Sequence, residues 1–311
     1  MKYALVFPGQ GAQAVGMGKD IYEASPAARS AFAEADEALG FSLSDIIFNG
    51  PDEKLTLTAY TQPAILTTSV ALCRALDEKG IKLAPAFVAG HSLGEYTALA
   101  VSGVLSLSDA VRLVHKRGSF MQEAVPEGVG AMAAILGLSP DSVREVCAQA
   151  AQGEVCEAAN FNTPVQTVIS GHTEAVKRAV AIAAEQGAKR SVMLKVSAPF
   201  HCSLMRSVAD RLAEVMDTCT WNAGACPLVA NVSASAVSDI QAVRDGLYAQ
   251  TYSPVRWAES VAAMSEMGAE GFIEIGPGKV LAGMIKKIVR RASVLNIEHA
   301  EDLDKAAAFI A

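Results

Sequence analysis

Residues 86–89 are apolar, Gly90-His91-Ser92-Leu93-Gly94 follow at once, and residues 95–100 begin a mostly apolar helical run. This order leaves the chain few options. A strand that ends in Gly-x-Ser-x-Gly and turns straight into a helix must lift the serine onto a tight turn, with glycines where side chains would collide. The hydroxyl then stands at a helix N-terminus, where main-chain N–H groups lack partners. The layout is that of a nucleophile elbow, and it calls for a sheet with helices packed against it. The rest of the chain has to supply a base, an oxyanion hole and a means of choosing one acyl group.

The 311 residues suffice for one large domain or a large domain with a smaller insert. At 51% hydrophobic and 19% charged, the composition is globular with a large core. A formal charge of −7 argues against a general nucleic-acid binder. The six cysteines (Cys73, Cys147, Cys156, Cys202, Cys219, Cys226) form no CxxC pair and have no histidine at metal spacing. They read as reduced thiols of a cytoplasmic protein that binds no metal. The apolar start, residues 3–7, is short and ends in Pro8-Gly9, so it reads as a first strand rather than a leader. No stretch approaches the roughly 18–20 apolar residues of a membrane span.

Helical patterns cover 17–40, 60–79, 92–102 and 107–124. The texture changes over 128–197. Strand-like 130–136 leads to a helix opened by Ser139-Pro140-Asp141, then to strands over 155–160 and 166–171, a helix over 173–186 and a strand over 191–196. The order β-α-β-β-α-β is ferredoxin-like and predicts a small subdomain, 128–197, inserted between 1–127 and 198–311. Beyond it come a helix over 203–217, a strand near 228–232, a helix over 255–267 and a strand over 271–275. Strands alternating with helices predict an α/β main domain with a mostly parallel sheet.

A serine hydroxyl needs a base to take its proton. Of the five histidines, His91 adjoins Ser92 in the turn, His115 lies within an amphipathic helix, and His172 enters a helix of the insert. Two candidates remain. His299 lies near the C-terminus, where the chain order of α/β-hydrolases would put a base. His201 lies in a proline-containing loop where the insert returns to the main domain, a place where sites are built. The loop Gly9-Gln10-Gly11-Ala12-Gln13-Ala14 fits G-x-G-x-x-A after a strand, but the region around Asp36 and Glu37 is helical where a dinucleotide site needs a strand ending in an acid. The other reading is a loop whose N–H groups, with that of Leu93, face a developing oxyanion. Arg117 is either an exposed arginine late in a helix or a fork for a carboxylate.

These motifs together resemble one family. Phe7-Pro8-Gly9-Gln10-Gly11, Gly90-His91-Ser92-Leu93-Gly94-Glu95-Tyr96, Arg117, Pro199-Phe200-His201, Ser253-Pro254-Val255-Arg256-Trp257 and Ile275-Gly276-Pro277-Gly278 occur in the order found in malonyl-CoA:acyl carrier protein transacylases. The resemblance covers essentially the whole chain, insert included. It implies an α/β-hydrolase-like core with a ferredoxin-like insert, and a malonyl transfer from malonyl-CoA to the phosphopantetheine thiol of acyl carrier protein. In that scheme Ser92 is the nucleophile, His201 its base, and Gln250 orients the imidazole through its main-chain carbonyl. Gln10 and Leu93 supply the oxyanion hole, and Arg117 pairs with the malonyl carboxylate. Asn160 and Phe200 would contact substrate, with the Phe200 ring crowding a methyl branch. In related polyketide acyltransferase domains, Phe at that position accompanies malonyl choice and Ser accompanies methylmalonyl. Many bacterial fatty-acid members carry Ser there, which leaves open whether the product feeds fatty acid or polyketide synthesis.

Neither cofactor nor metal is implied, and a monomer is expected. The basic clusters Lys189-Arg190 and Lys286-Lys287 read either as solvated faces or as docking sites for the acidic carrier protein and the CoA phosphates. A serine thioesterase or hydrolase would use the same elbow but should place a carboxylate on the histidine. An idle acyltransferase subunit would have no need to keep Ser92, His201 and Arg117.

Overall fold

Tyr3–Phe7 is apolar at every position and buried along its whole length, as a strand inside a parallel sheet must be. This computed structural model describes residues 1–126, 128–194, 196 and 198–310. The strands are β1 (Tyr3–Phe7), β2 (Phe87–Gly90), β3 (Gly130–Leu136), β4 (Cys156–Thr163), β5 (Gln166–His172), β6 (Arg190–Met193), β7 (Leu228–Val229), β8 (Ala236–Val237), β9 (Gly271–Ile275) and β10 (Ser293–Ile297). They form two sheets, ordered β10-β9-β1-β2-β7-β8 and β4-β5-β3-β6. In the first sheet every pairing is parallel except β7 with β8. In the second every pairing is antiparallel. The chain is therefore mixed α/β with a parallel-rich main sheet, as its pattern predicts.

Helix Thr58–Glu78 has buried residues all round, whereas Leu107–Glu123 buries one face and is capped by Ser106, whose side chain accepts from Asp109 N–H. The helix expected over 17–40 is in fact two, Lys19–Ala24 and Pro26–Leu39. Proline disfavours helical backbone in the residue before it, and Ser25 is extended (φ −127°, ψ 119°) and caps the second helix through Ala28 N–H. The strand expected near 228–232 stops at Val229, because Asn231 leaves the sheet to serve the elbow. The helix over 203–217 starts as a 3₁₀ turn, Ser203–Met205, before Arg206–Met216. β6 ends at Met193, and Leu194 and Val196 do not continue the strand expected to run to 196; Lys195 and Ser197 lie outside the described residues, as do Glu127 and Ala311.

Helices Leu43–Asn49 and Ile240–Gln250 and strand β10 were not anticipated. β10 is only half-buried at the sheet edge, which blunts the apolar signal. Among the described residues no helix is long and apolar enough to cross a membrane.

Candidate active site

β2 runs into the turn at Ser92, whose backbone is left-handed (φ 52°, ψ −103°), before helix Leu93–Val101. The glycines make this possible. A Cβ on Gly90 would lie 1.9 Å from the Gly94 carbonyl carbon, and one on Gly94 would lie 2.0 Å from the Phe7 carbonyl oxygen. Asn231 braces the turn, accepting from Ser92 N–H at 2.8 Å and donating from Nδ2 to the Gly90 carbonyl at 2.7 Å.

Ser92 Oγ lies 2.7 Å from His201 Nε2, and His201 Nδ1 lies 2.8 Å from the main-chain carbonyl of Gln250. A carbonyl oxygen only accepts, so Nδ1 carries the hydrogen and Nε2 presents a lone pair to the hydroxyl. His201 is 4% exposed, and burial followed by the positive charge of Arg117 lowers its pKa to about 3. The imidazole is therefore neutral and able to accept a proton. His299, the competing candidate, is more than half exposed and lies 3.4 Å from Asp20, so the structure removes it from consideration as the base. His91 turns its Nε2 to Asn162 Oδ1 at 2.8 Å.

Arg117 is 1% exposed, not the surface residue that its helical position alone suggests. Its Nη1 donates to Gln62 Oε1 at 2.9 Å, and its Nη2 donates to Gln250 Oε1 at 2.9 Å and to Ser92 Oγ at 3.2 Å. Burial pushes its pKa down, opposed by the neighbouring Tyr96 and Glu95. Its Nε has no hydrogen-bond partner among the described residues. A guanidinium fork thus stands beside the hydroxyl with donor capacity left over, which is an arrangement that can hold a carboxylate.

Gln10 and Leu93 sit on the two segments that close over the elbow. A Cβ on Gly9 would fall 2.5 Å from the His91 carbonyl oxygen, so the Gly9 loop lies directly against the turn. Gln10 Nε2 donates to Thr58 Oγ1 at 3.2 Å, and Leu93 opens its helix with first-turn N–H geometry. After the Gly9–Ala14 loop the next helix begins only at Lys19, so the loop is not the strand-to-helix turn that a dinucleotide site requires.

Gln10, His91, Asn160, Asn162, Leu281 and Met284 line a cavity of about 220 Å³. Leu194, just past β6, and Val280, at the start of helix Val280–Ile288, line it as well. None of the four basic residues lines this cavity: Lys189 and Arg190 lie at the far end of β6, beside Gly137 and Leu136, and Lys286 and Lys287 lie in the last turn of helix Val280–Ile288, all four with exposed side chains. Phe200 is buried in an apolar cluster with Met121, Met132 and Met205, with Tyr252 packed against it. A larger cavity of about 590 Å³, lined by Cys73, Arg74, Ala84, Val88, Ser102 and Cys226 among others, contains none of these site residues.

Four residues of this network carry no sequence signal that sets them apart: Gln62, Glu95, Asn162 and Asn231. Gln62 lies in a helix whose apolar pattern hides it, and Asn231 lies in a run read as strand. Glu95 stands in the sequence only as part of the elbow motif.

Residues 4–307 match the acyl transferase domain family. The malonyl CoA-acyl carrier protein transacylase of Escherichia coli K12 is 51% identical over 297 residues, 95% of this chain and 96% of that protein. The Bacillus subtilis protein of the same name is 48% identical over 306 residues, 98% of this chain and 96% of its own length. Among solved structures, an acyl carrier protein S-malonyltransferase from Vibrio cholerae superposes with a TM-score of 0.95 at 47% identity, covering 98% of this chain and 99% of that one. A malonyl-transacylase solved in complex with a holo type II polyketide acyl carrier protein superposes at 0.96 with 44% identity, covering 99% and 100%. A full-length match of this kind, together with an elbow serine, a neutral histidine and a buried arginine converging on one hydroxyl, has a single reading: the chain belongs to the malonyl CoA-acyl carrier protein transacylases of the acyl transferase domain family.

Proposed function

We propose that this acyltransferase moves a malonyl group from malonyl-CoA to the phosphopantetheine thiol of acyl carrier protein through a malonyl ester on Ser92. The observation that carries the reading is the position of Arg117 Nη2, 3.2 Å from the same Ser92 Oγ that His201 Nε2 meets at 2.7 Å. A dicarboxylic acyl group can lay its free carboxylate on the guanidinium while its thioester carbonyl faces the hydroxyl.

In the first half-reaction, Ser92 Oγ attacks the thioester carbon as its proton passes to His201 Nε2. The oxyanion is received by the N–H groups of Leu93 and Gln10, donors worth about 3 kcal/mol each in such sites. The C–S bond breaks, the imidazolium returns the proton to the CoA thiolate, and a malonyl-serine ester remains. In the second half-reaction, His201 takes the proton of the carrier thiol. The resulting thiolate attacks the ester, and the proton passes to Ser92 Oγ as it leaves.

Arg117 also tunes the base. Its charge is the second cause holding His201 low, after burial. A carboxylate bound on Arg117 offsets that charge, so the imidazole gains basicity when a dicarboxylic acyl group arrives. The two halves together exchange one thioester for another of nearly equal energy, so the scheme calls on no cofactor or metal. Asn160 lines the cavity that would admit the thiol arm, and Phe200 lies next to the base, where its ring would limit branching at the acyl α-carbon. Lys189, Arg190, Lys286 and Lys287 are exposed and would meet the acidic carrier protein and the CoA phosphates.

We read residues 1–127 and 198–311 as an α/β-hydrolase-like catalytic domain and 128–197 as a ferredoxin-like subdomain that delivers His201 on its return. The strand order β4-β5-β3-β6 supports that assignment. A cytoplasmic monomer supplying fatty acid synthesis fits best. A hydrolase is less well supported, because His201 Nδ1 meets an amide carbonyl rather than a carboxylate.

The test is to mix the protein with labelled malonyl-CoA and read its intact mass. A malonyl adduct that is absent in Ser92→Ala is the expected result. Rapid release of free malonate with no adduct would overturn the reading.

A further inference from the structure

Glu95 is 1% exposed and has no role in the scheme above. One of its oxygens, Oε2, accepts from Gln250 Nε2 at 2.9 Å and from Asn231 N–H at 3.2 Å. The other end of the same Gln250 amide accepts from Arg117 Nη2 at 2.9 Å. Asn231, held by its main chain to Glu95, holds Ser92 N–H and the Gly90 carbonyl with its side chain. One buried oxygen therefore anchors two arms, one ending at the guanidinium and one at the elbow. From this we infer that Glu95 is a positioning residue that places Arg117 through the Gln250 amide, and so sets the preference for acyl groups bearing a carboxylate.

The argument is one of donors and acceptors. An amide has a donor end and an acceptor end, and a buried one settles where both are matched. Glu95 Oε2 and the Ser92 carbonyl, 2.9 Å from Nε2, present two acceptors to the two N–H groups of Gln250. That leaves Oε1 facing Arg117, the only arrangement that does not set donor against donor. Without the Glu95 acceptor, one Gln250 N–H and the Asn231 N–H are left unpaired in a buried place, and the amide is free to turn toward other acceptors. Arg117 Nη2 then loses the acceptor that fixes it, while Nη1 keeps Gln62, so the guanidinium is free to pivot beside Ser92. A shift of about 1 Å in a substrate-holding group can cost about a hundredfold in rate. Because both bonds end on one oxygen, the relay needs an acceptor there rather than a charge. A glutamine can supply it.

The inference rests on the transfer reading above, and the experiment separates the two. Full-length wild type, Glu95→Ala, Glu95→Asp and Glu95→Gln are assayed with holo acyl carrier protein and two donors, malonyl-CoA and acetyl-CoA, which lacks the distal carboxylate. In Glu95→Ala the malonyl-to-acetyl ratio of kcat/KM should fall about tenfold or more, mainly through a higher KM for malonyl-CoA. Glu95→Asp, whose acceptor is withdrawn by one methylene, should also lower the ratio and keeps the test open if the alanine variant does not fold. Glu95→Gln should hold the ratio within about threefold. In an Arg117→Ala background, Glu95→Ala should leave the ratio unmoved, because the relay has lost its end point. Equal losses toward both donors in Glu95→Ala and Glu95→Asp would overturn the inference, as would a ratio that falls as far in Glu95→Gln as in Glu95→Ala. A wild-type protein that shows no malonyl preference and no Ser92 adduct would instead overturn the transfer reading.

Discussion

Ser92 and His201 are both non-glycine residues with left-handed backbone, at φ 52° and φ 59°, and their side chains meet at 2.7 Å. Each conformation costs on the order of 1–3 kcal/mol, and each persists only because its surroundings hold it. Asn231 and the two elbow glycines hold Ser92, and the Gln250 carbonyl holds His201. The pair is thus kept in register by contacts outside both residues.

Gly94→Ala is expected to destabilise the fold by at least about 3 kcal/mol, since its Cβ would press on the Phe7 main chain. Gly40→Ala, at a left-handed helix end with open space around it, should cost only about 1 kcal/mol. Denaturant unfolding of both variants measures the difference. Equal costs would show that the elbow is not the crowded site described.

Replacing Arg117 with alanine should lower kcat/KM for malonyl-CoA by roughly 2–4 kcal/mol in transition-state binding, while acyl groups without a carboxylate gain relative to it. Side-by-side kinetics with malonyl-CoA and acetyl-CoA check this. An unchanged selectivity would remove the carboxylate-binding role.

Burial is the largest cause of three shifts that act on stability in opposite directions. Glu95 and Glu274 rise from 4.5 to about 7, so their stabilisation is complete below 4.5 and lost as pH climbs toward 7. His201 falls from 6.5 to about 3, so its stabilisation is complete above 6.5 and lost as pH drops toward 3. Between 4.5 and 6.5 the carboxyls and His201 therefore pull in opposite directions, and His91, also lowered by burial, adds to the imidazole side. Glu95→Gln removes one carboxyl and should gain roughly 3 kcal/mol on the wild type between pH 4 and pH 8. Unfolding at both pH values tests it; a constant difference would contradict the assignment.

Reversing charge at Lys286 and Lys287 should weaken use of acyl carrier protein with little change toward free pantetheine, and the gap should close as salt is raised. Initial rates with the two acceptors across a salt series decide the matter. Losses of equal size for both acceptors would rule out docking there.

Phe200→Ser opens space in the cluster that holds Met121 and Met132, and should improve methylmalonyl-CoA relative to malonyl-CoA. It should also cost about 3 kcal/mol of stability, the usual result of truncating a buried aromatic. A competition assay with both thioesters would expose a failure as an unaltered product ratio.

What could be read from the chain was what is encoded locally. The elbow is contiguous, so its glycines and flanking apolar runs announce it, and the insert shows its strand order because each strand is short and bounded. The Ser25-Pro26 break was also visible in principle, as proline marks the residue before it. The network behind the elbow was not. Ser92 meets Asn231 across 139 positions, and Gln250 meets Glu95 across 155. Nothing in the spacing of a buried asparagine or glutamine reports such a partner. Position in the chain alone leaves both His201 and His299 open for the same reason; the family resemblance picks His201, and the contact of its Nε2 with Ser92 Oγ agrees.

One such path also holds the small sheet in place. Asn160 in β4 bridges to Val255, and Val255 N–H donates to the Ala159 carbonyl at 2.8 Å while Phe161 N–H donates to the Val255 carbonyl at 2.9 Å. These bonds sew the small sheet to the segment leading into helix Trp257–Glu266, and Asn160 lines the same cavity as Gln10. The seam is made of main-chain bonds, so no substitution along it other than proline removes a donor, and Asn160 keeps its place in the cavity through the backbone.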